Sequence, residues 1–164
     1  MAADTRMTVV ATPADLADRI GRILAEHQGM DGACLLVLQA IQRAFGYVPA
    51  AALEPVAKAL ALSHADVYGV LTFYHDLRRA PPGRHVVRVC QAEACQAMGA
   101  RGLTEQLGRR FEIALGETTK DGAVTLEPVY CLGNCALSPA VTVDGALYGR
   151  ATEFLVLERL GAVR

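Results

Sequence analysis

HVVRVCQAEACQAMGARGLTEQLGRRF, residues 85–111, is where the period of this chain changes. Its first six residues form a short apolar run of strand length that ends in Cys90, and residues 99–111 place apolar side chains at helical spacing. Downstream, AVTLEPVYC (123–131) reads as a strand with period-two alternation ending in Cys131. AVTVDGALYG (140–149) reads as strand, Asp-Gly turn and strand, the strongest short-range hairpin signal. TEFLVLERL (152–160) closes the chain as a helix.

Upstream of LRRAPPGRHVV (77–87) the apolar residues recur at helical spacing only. A first helix opens at Thr12 or Pro13 and runs to about His27, with Leu16, Ile20, Ile23 and Leu24 on one face and Gly29 ending it. Asp31 is placed to cap a second helix, in which Leu35, Leu38, Ile41, Gln42 and Phe45 follow the same period up to Gly46. GYVPAAALEPVAKALAL (46–62) reads as a turn and a short third helix, with Pro55 in the first turn, where a missing N–H is tolerated. Ser63 with Asp66 forms a capping pattern for a fourth helix through ADVYGVLTFYHDL (65–77). The expected class is therefore α+β: a helical bundle over 1–80, then an α/β domain over 81–164. Strand, helix, strand, hairpin, helix is the order that a thioredoxin-like layer of helices against a four-stranded sheet requires.

Composition narrows the function classes. With 164 residues, 52% of them hydrophobic, 20% charged and a formal net charge of −1, the chain has no electrostatic footprint for nucleic acid or an anionic lipid surface. The longest helical apolar stretch, around ACLLVLQAI (33–41), falls well short of the roughly 18–20 residues of a membrane span. MAADTRMTVVATPAD (1–15) carries acids and no sustained apolar core, so a secretory signal is not expected and the cytoplasm is. Thiols there stay reduced, which favours metal binding or catalysis over disulfides for spaced cysteines.

Four of the five cysteines are spaced. Cys90 and Cys131 fall where apolar strands end; Cys95 and Cys135 follow in the loops after them, so all four can converge on one edge of the domain. The pattern is Cys-x4-Cys, then Cys-x3-Cys. Structural zinc tolerates this spacing without asking for it. A redox dithiol wants Cys-x-x-Cys at a helix start, which neither pair offers. Four soft thiolates also suit a [2Fe-2S] cluster, whose two ends could each take one local pair. In YCLGNCALSP (130–139), Gly133 permits close backbone approach, N–H groups can donate to sulfur, and Leu132, Ala136 and Leu137 can exclude water.

LLVLQAIQRAFGYVP (35–49), ADVYGVLTFYHDL, the Cys-x4-Cys pair and CLGNC (131–135) together resemble the thioredoxin-like [2Fe-2S] subunit family of NADH dehydrogenases (complex I) and of related soluble hydrogenases and formate dehydrogenases. The resemblance runs from about residue 15 to 160. PPGRHVVRVCQAEACQAMGA (81–100) with YCLGNCALSPAV (130–141) is most similar to the gamma subunit of soluble, molybdenum-containing, NAD-dependent formate dehydrogenases. The resemblance implies that Cys90, Cys95, Cys131 and Cys135 ligate a [2Fe-2S] cluster. It also implies two partners: a subunit carrying flavin mononucleotide and the NAD site, and a large catalytic subunit carrying the molybdenum cofactor.

The other chemistry-bearing residues read more plainly. Cys34, among Ala33, Leu35 and Leu36, is expected as a buried structural thiol, and His27, His64, His75 and His85 are scattered. Tyr68, Phe73 and Tyr74 suggest core or domain-interface packing, and Glu93 a solvated loop acid or a charge that tunes the cluster potential. No GxGxxG or GxxxxGK[ST] occurs and no acid-base set stands out, so NAD binding and formate chemistry are expected of other subunits. Two competing classes remain: a structural zinc-binding interaction module and a thioredoxin-like dithiol oxidoreductase.

Overall fold

A computed structural model describes residues 13–161. The chain divides into two compact units, Met1–Pro81 and Pro82–Arg164.

The first unit is helical: α1 (Pro13–Glu26), α2 (Cys34–Phe45), α3 (Leu53–Ala59, entered through a 3-10 turn at Ala50–Ala52) and α4 (His64–Phe73). Ile20 of α1, Val37, Leu38 and Ile41 of α2, Val56 of α3 and Val67 of α4 are almost wholly buried in one cluster. Of the two expected stripes, Ile20, Leu38 and Ile41 are in this cluster, and Leu16, Ile23, Leu24, Leu35 and Phe45 are partly buried against it. Ser63 and Asp66 make both bonds of a capping box at the start of α4. Gln42, counted in the apolar stripe, instead uses its amide to hold the segment after α4: Nε2 donates to the Asp76 carbonyl and Oε1 accepts from the Arg78 N–H.

Three expectations need correction here. Asp31 does not cap α2, because the helix starts later: residues 31–33 form turns, and the N-cap is Ala33, which makes no side-chain cap bond. The fourth helix stops at Phe73, where Tyr74 turns extended (φ −86°, ψ 104°). Tyr68, Phe73 and Tyr74 are exposed, Phe73 by 71%, rather than core; the buried pair of α4 is Val67 and Leu71, four residues apart. Thr12, one of the two expected helix starts, lies outside the described residues.

The second unit runs β1 (His85–Cys90), α5 (Glu93–Ala97), α6 (Ala100–Phe111), β2 (Val124–Val129), β3 (Val141–Val143), β4 (Ala146–Tyr148) and α7 (Glu153–Arg159). The four strands make one sheet in the order β2-β1-β3-β4. β1 and β2 are parallel, in register from His85 opposite Val124 to Cys90 opposite Val129; β3 is antiparallel to β1 and to β4. Val87, Val89, Leu126 and Val141 of the sheet share a core with Leu107 of α6 and Val156 of α7. The fold is thus the α+β, thioredoxin-like arrangement that the element order required. The Asp144-Gly145 turn has positive φ at both residues (51° and 84°), the requirement of a type I′ hairpin and the reason for glycine at its second position.

Two local readings change. β2 ends at Val129, two residues before Cys131, and its first half is buried on both faces instead of alternating. Residues 116–119 also pair along its outer edge: Gly116 donates to the Leu126 carbonyl, Leu126 to that of Glu117 and Thr119 to that of Val124. Buried Thr125 is satisfied there, accepting from the Gly83 N–H and bonding the Thr118 hydroxyl. Second, Cys95 sits in the five-residue helix α5, not in a loop.

Candidate metal centre

Because β1 and β2 are parallel neighbours in register, they deliver their C-terminal ends to the same edge of the sheet. Cys90 is the last residue of β1, and Cys131 follows the end of β2 by two residues. The ladder extends one bond further, Gln91 N–H to the Val129 carbonyl, while Cys90 N–H donates to the Ala140 carbonyl ahead of β3. α5 then carries Cys95 back beside Cys90. A chain of amides fixes that short connection: Gln96 Nε2 donates to Gln91 Oε1 at 2.9 Å, and Gln91 Nε2 to the Thr104 hydroxyl of α6 at 3.0 Å. No spacing rule singles out these two glutamines; they show up only once α5 is seen to fold back.

The second loop is held in less ordinary backbone. Cys131 has φ +89°, a conformation that costs a non-glycine residue about 1–3 kcal/mol. Gly133 has φ +72°, and a Cβ there would meet no protein atom within 4 Å, so glycine serves the turn itself. The turn aims amides at sulfur: Gly133 N–H donates to Cys131 Sγ at 3.4 Å. Gly149, after β4, packs so tightly on this loop that a Cβ would lie 2.5 Å from Leu137 Cβ and 2.8 Å from Asn134 Nδ2.

The four sulfurs form two pairs, one inner and one outer. Cys90 and Cys95 are each 2% exposed, whereas Cys131 and Cys135 are exposed, with their sulfurs 4.0 Å apart. Burial pushes the Cys90 thiol up, but the N–H groups of Ala92, Cys131 and Leu132 and the Cys95 side chain outweigh it and hold Cys90 below the ordinary thiol value. Those bonds bring residues of both loops to one sulfur. Cys135 moves the other way, raised first by its contact with the Cys131 thiol and the charge there, then by burial and by the charges of Cys95 and Cys90.

Soft donors in two pairs, with backbone N–H groups on sulfur, suit a cluster of two metal atoms. Among the described residues no three His, Cys, Asp or Glu side chains are grouped as a single-ion site. Cys34 stands apart, the first residue of α2 in the other unit, its pKa raised first by burial. His27 bonds the Ile23 carbonyl and His85 bonds Asp144; neither is grouped with the cysteines. Glu93 is an exposed acid in the first turn of α5. Water exclusion by the second loop is narrower than expected: Ala136 and Leu137 are exposed, and only half-buried Leu132 packs against the Cys90, Cys95, Ala100 and Ala140 cluster. Ser138, which motif reading passed over, is buried against Cys95, Sγ to Oγ 3.5 Å.

Residues 20–163 match the family of thioredoxin-like [2Fe-2S] ferredoxins. The chain belongs to this family. It is 38% identical over 117 residues to a subunit of the NADH-quinone oxidoreductase of Pseudomonas aeruginosa, covering 71% of this chain and 70% of that protein. The counterpart of that protein in Escherichia coli K12 is 37% identical over 128 residues, covering 78% and 77%. Among solved structures, an NAD+-reducing [NiFe]-hydrogenase in the air-oxidized state superimposes with a TM-score of 0.66 over 79% of this chain, at 22% identity. That likeness is one of fold, and this chain spans only 23% of the hydrogenase chain. Its family cofactor is the [2Fe-2S] cluster, and the chain is a thioredoxin-like electron-transfer protein. Among the described residues, no helix is long and apolar enough to cross a membrane.

Proposed function

We propose that this chain is the electron-transfer gamma subunit of a cytoplasmic, NAD-dependent formate dehydrogenase complex, with Cys90, Cys95, Cys131 and Cys135 as the ligands of its [2Fe-2S] cluster. The observation that supports the ligand set is the convergence of two thiol pairs at the shared end of β1 and β2, with amides of both loops on Cys90. A bound cluster supplies reversible one-electron transfer. Cys90 and Cys95 would hold its inner iron and Cys131 and Cys135 its outer one. The amides of Ala92, Cys131, Leu132 and Gly133 offset negative charge on the sulfurs. The exposed outer pair gives a partner's redox group an approach that the buried inner pair denies.

Formate dehydrogenase as the parent complex rests on the likeness of residues 81–100 and 130–141 to gamma subunits of that enzyme. Its partners are then the flavin and NAD subunit and the molybdenum-containing catalytic subunit. The equivalent subunit of complex I or of an NAD-reducing hydrogenase is the second reading, favoured by the NADH-quinone oxidoreductase relatives at 37–38% identity. Anaerobic purification of the complex through a tag on this chain tests both. The expected result is about two iron and two sulfide per copy of this chain beyond its partners' clusters, molybdenum in the complex, and formate-dependent reduction of NAD+. NADH-dependent quinone reduction, or hydrogen-dependent reduction of NAD+, without molybdenum would move the chain to the second reading.

A further inference from the structure

Ser138 lies three residues past Cys135, yet its side chain faces the other thiol pair. It is 8% exposed, and its Oγ lies 3.5 Å from the sulfur of Cys95, itself 2% exposed. The same hydroxyl donates to the Cys135 carbonyl at 2.7 Å. A serine hydroxyl has one proton. With a neutral Cys95 thiol both contacts are satisfied, since S–H can donate to Oγ while O–H donates to the carbonyl. A ligating cysteine is a thiolate and has no proton to give. The hydroxyl must then turn to the sulfur, or leave its lone pairs facing a buried negative charge. Turning costs little, because the Cys135 carbonyl keeps a second donor, the Ser138 N–H at 3.3 Å.

We propose that Ser138 is a positioning and tuning residue of the cluster site, its hydroxyl donating to Cys95 Sγ in the loaded protein and raising the reduction potential. The inference rests on Cys95 being a ligand. An added electron increases the negative charge on the thiolate sulfurs, so a donor to sulfur favours the reduced form. In a water-poor pocket this bond is stronger than at the surface.

The test is a redox titration of the full-length, cluster-loaded chain, followed by EPR. Ser138→Ala should lower the equilibrium constant for reduction by several-fold up to about tenfold, tenfold being about 59 mV for one electron. Ser138→Thr, which keeps the hydroxyl, should return the potential to within twofold of the parent, about 18 mV. A residue that merely braced the Cys135 carbonyl would change cluster content without moving the potential of the loaded fraction. An unchanged potential in fully loaded Ser138→Ala, or a raised one, overturns the proposal. If Ser138→Ala does not retain its cluster, Ser138→Cys decides, since its weaker donor should give a lowered potential and an equal or higher one refutes the role. Cys95→Ser run in parallel separates the two failures. An altered cluster spectrum there with no effect at Ser138 refutes the tuning alone, whereas an unchanged spectrum removes the ligand and the proposal with it.

Discussion

Four thiols of one residue type occupy unlike surroundings, and their reactivity follows from that. Under the proposed ligand set, replacing Cys90, Cys95, Cys131 or Cys135 by serine removes a soft anionic ligand and should lower iron content or shift the EPR signal of the reduced protein. Cys34→Ser, in the other unit, should change neither. Normal iron and an unchanged spectrum in two of the four variants would defeat the ligand set. After chelation of iron, alkylation should reach Cys131 and Cys135 first, because only these are exposed, and Cys34, Cys90 and Cys95 only on unfolding. The pH dependence has a definite sign. Cys135 is raised above the ordinary thiol value of about 8.5, so its thiolate fraction is small at neutral pH. Its alkylation should therefore accelerate as pH rises from about 7 to beyond about 8.5, followed by peptide mass analysis at each pH. A Cys135 rate that is flat over that window contradicts the direction of the shift.

At the scale of elements, legibility followed the length of the pattern. β1 and the Asp144-Gly145 hairpin could be read because each carries its own rule, an apolar run in one and a required turn geometry in the other. α5 could not: five residues with no side-chain cap bond give neither periodicity nor a start signal. The end of β2 was blurred because Tyr130 and Cys131 continue the apolar run after the ladder has stopped at Val129. The cysteine pairs were legible as spacing, but the amides on their sulfurs and the glutamine chain behind Cys95 depend on loop backbone that no local pattern encodes. That backbone is testable through Gly149. Gly149→Ala forces a Cβ against Leu137 and should destabilise the chain by about 1–3 kcal/mol and depress cluster content with it. Gly21→Ala on α1, where a Cβ meets nothing, should instead stabilise by up to about 1 kcal/mol, since alanine suits a helix better. Denaturant unfolding of both variants, with iron analysis, gives the comparison; equal stability of Gly149→Ala and the parent would mean that the hairpin does not brace the cysteine loop.

For the molecule as a whole, the decisive fact is that among the described residues the buried clusters of the two units are separate sets: one is drawn from Ile20 to Leu77, the others from Val87 to Val156. A sheet unit with its own core and all four paired cysteines has what it needs to hold a cluster. A chain begun near Pro81 should therefore keep its iron and its EPR signal. Under the proposed function, the helical unit with its exposed Tyr68, Phe73 and Tyr74 is free to serve in assembly, so the shortened chain should bind the flavin subunit more weakly. Equal affinity of the long and short chains would remove that role. The same logic fixes what the full chain does alone. It has no glycine-rich nucleotide loop, and the cluster that its thiols would hold under the proposed function supplies one-electron exchange, not hydride transfer. Alone, it should neither oxidise formate nor reduce dyes with NADH. Adding the flavin subunit should let NADH reduce the cluster, to an extent set by the low potential that a thiolate-ringed cluster carries. The measurement is an NADH titration of the reconstituted pair read by low-temperature EPR. A flavin that is reduced beside a cluster that stays oxidised, although its measured potential lies within reach, would leave this chain an assembly subunit and not a carrier of electrons.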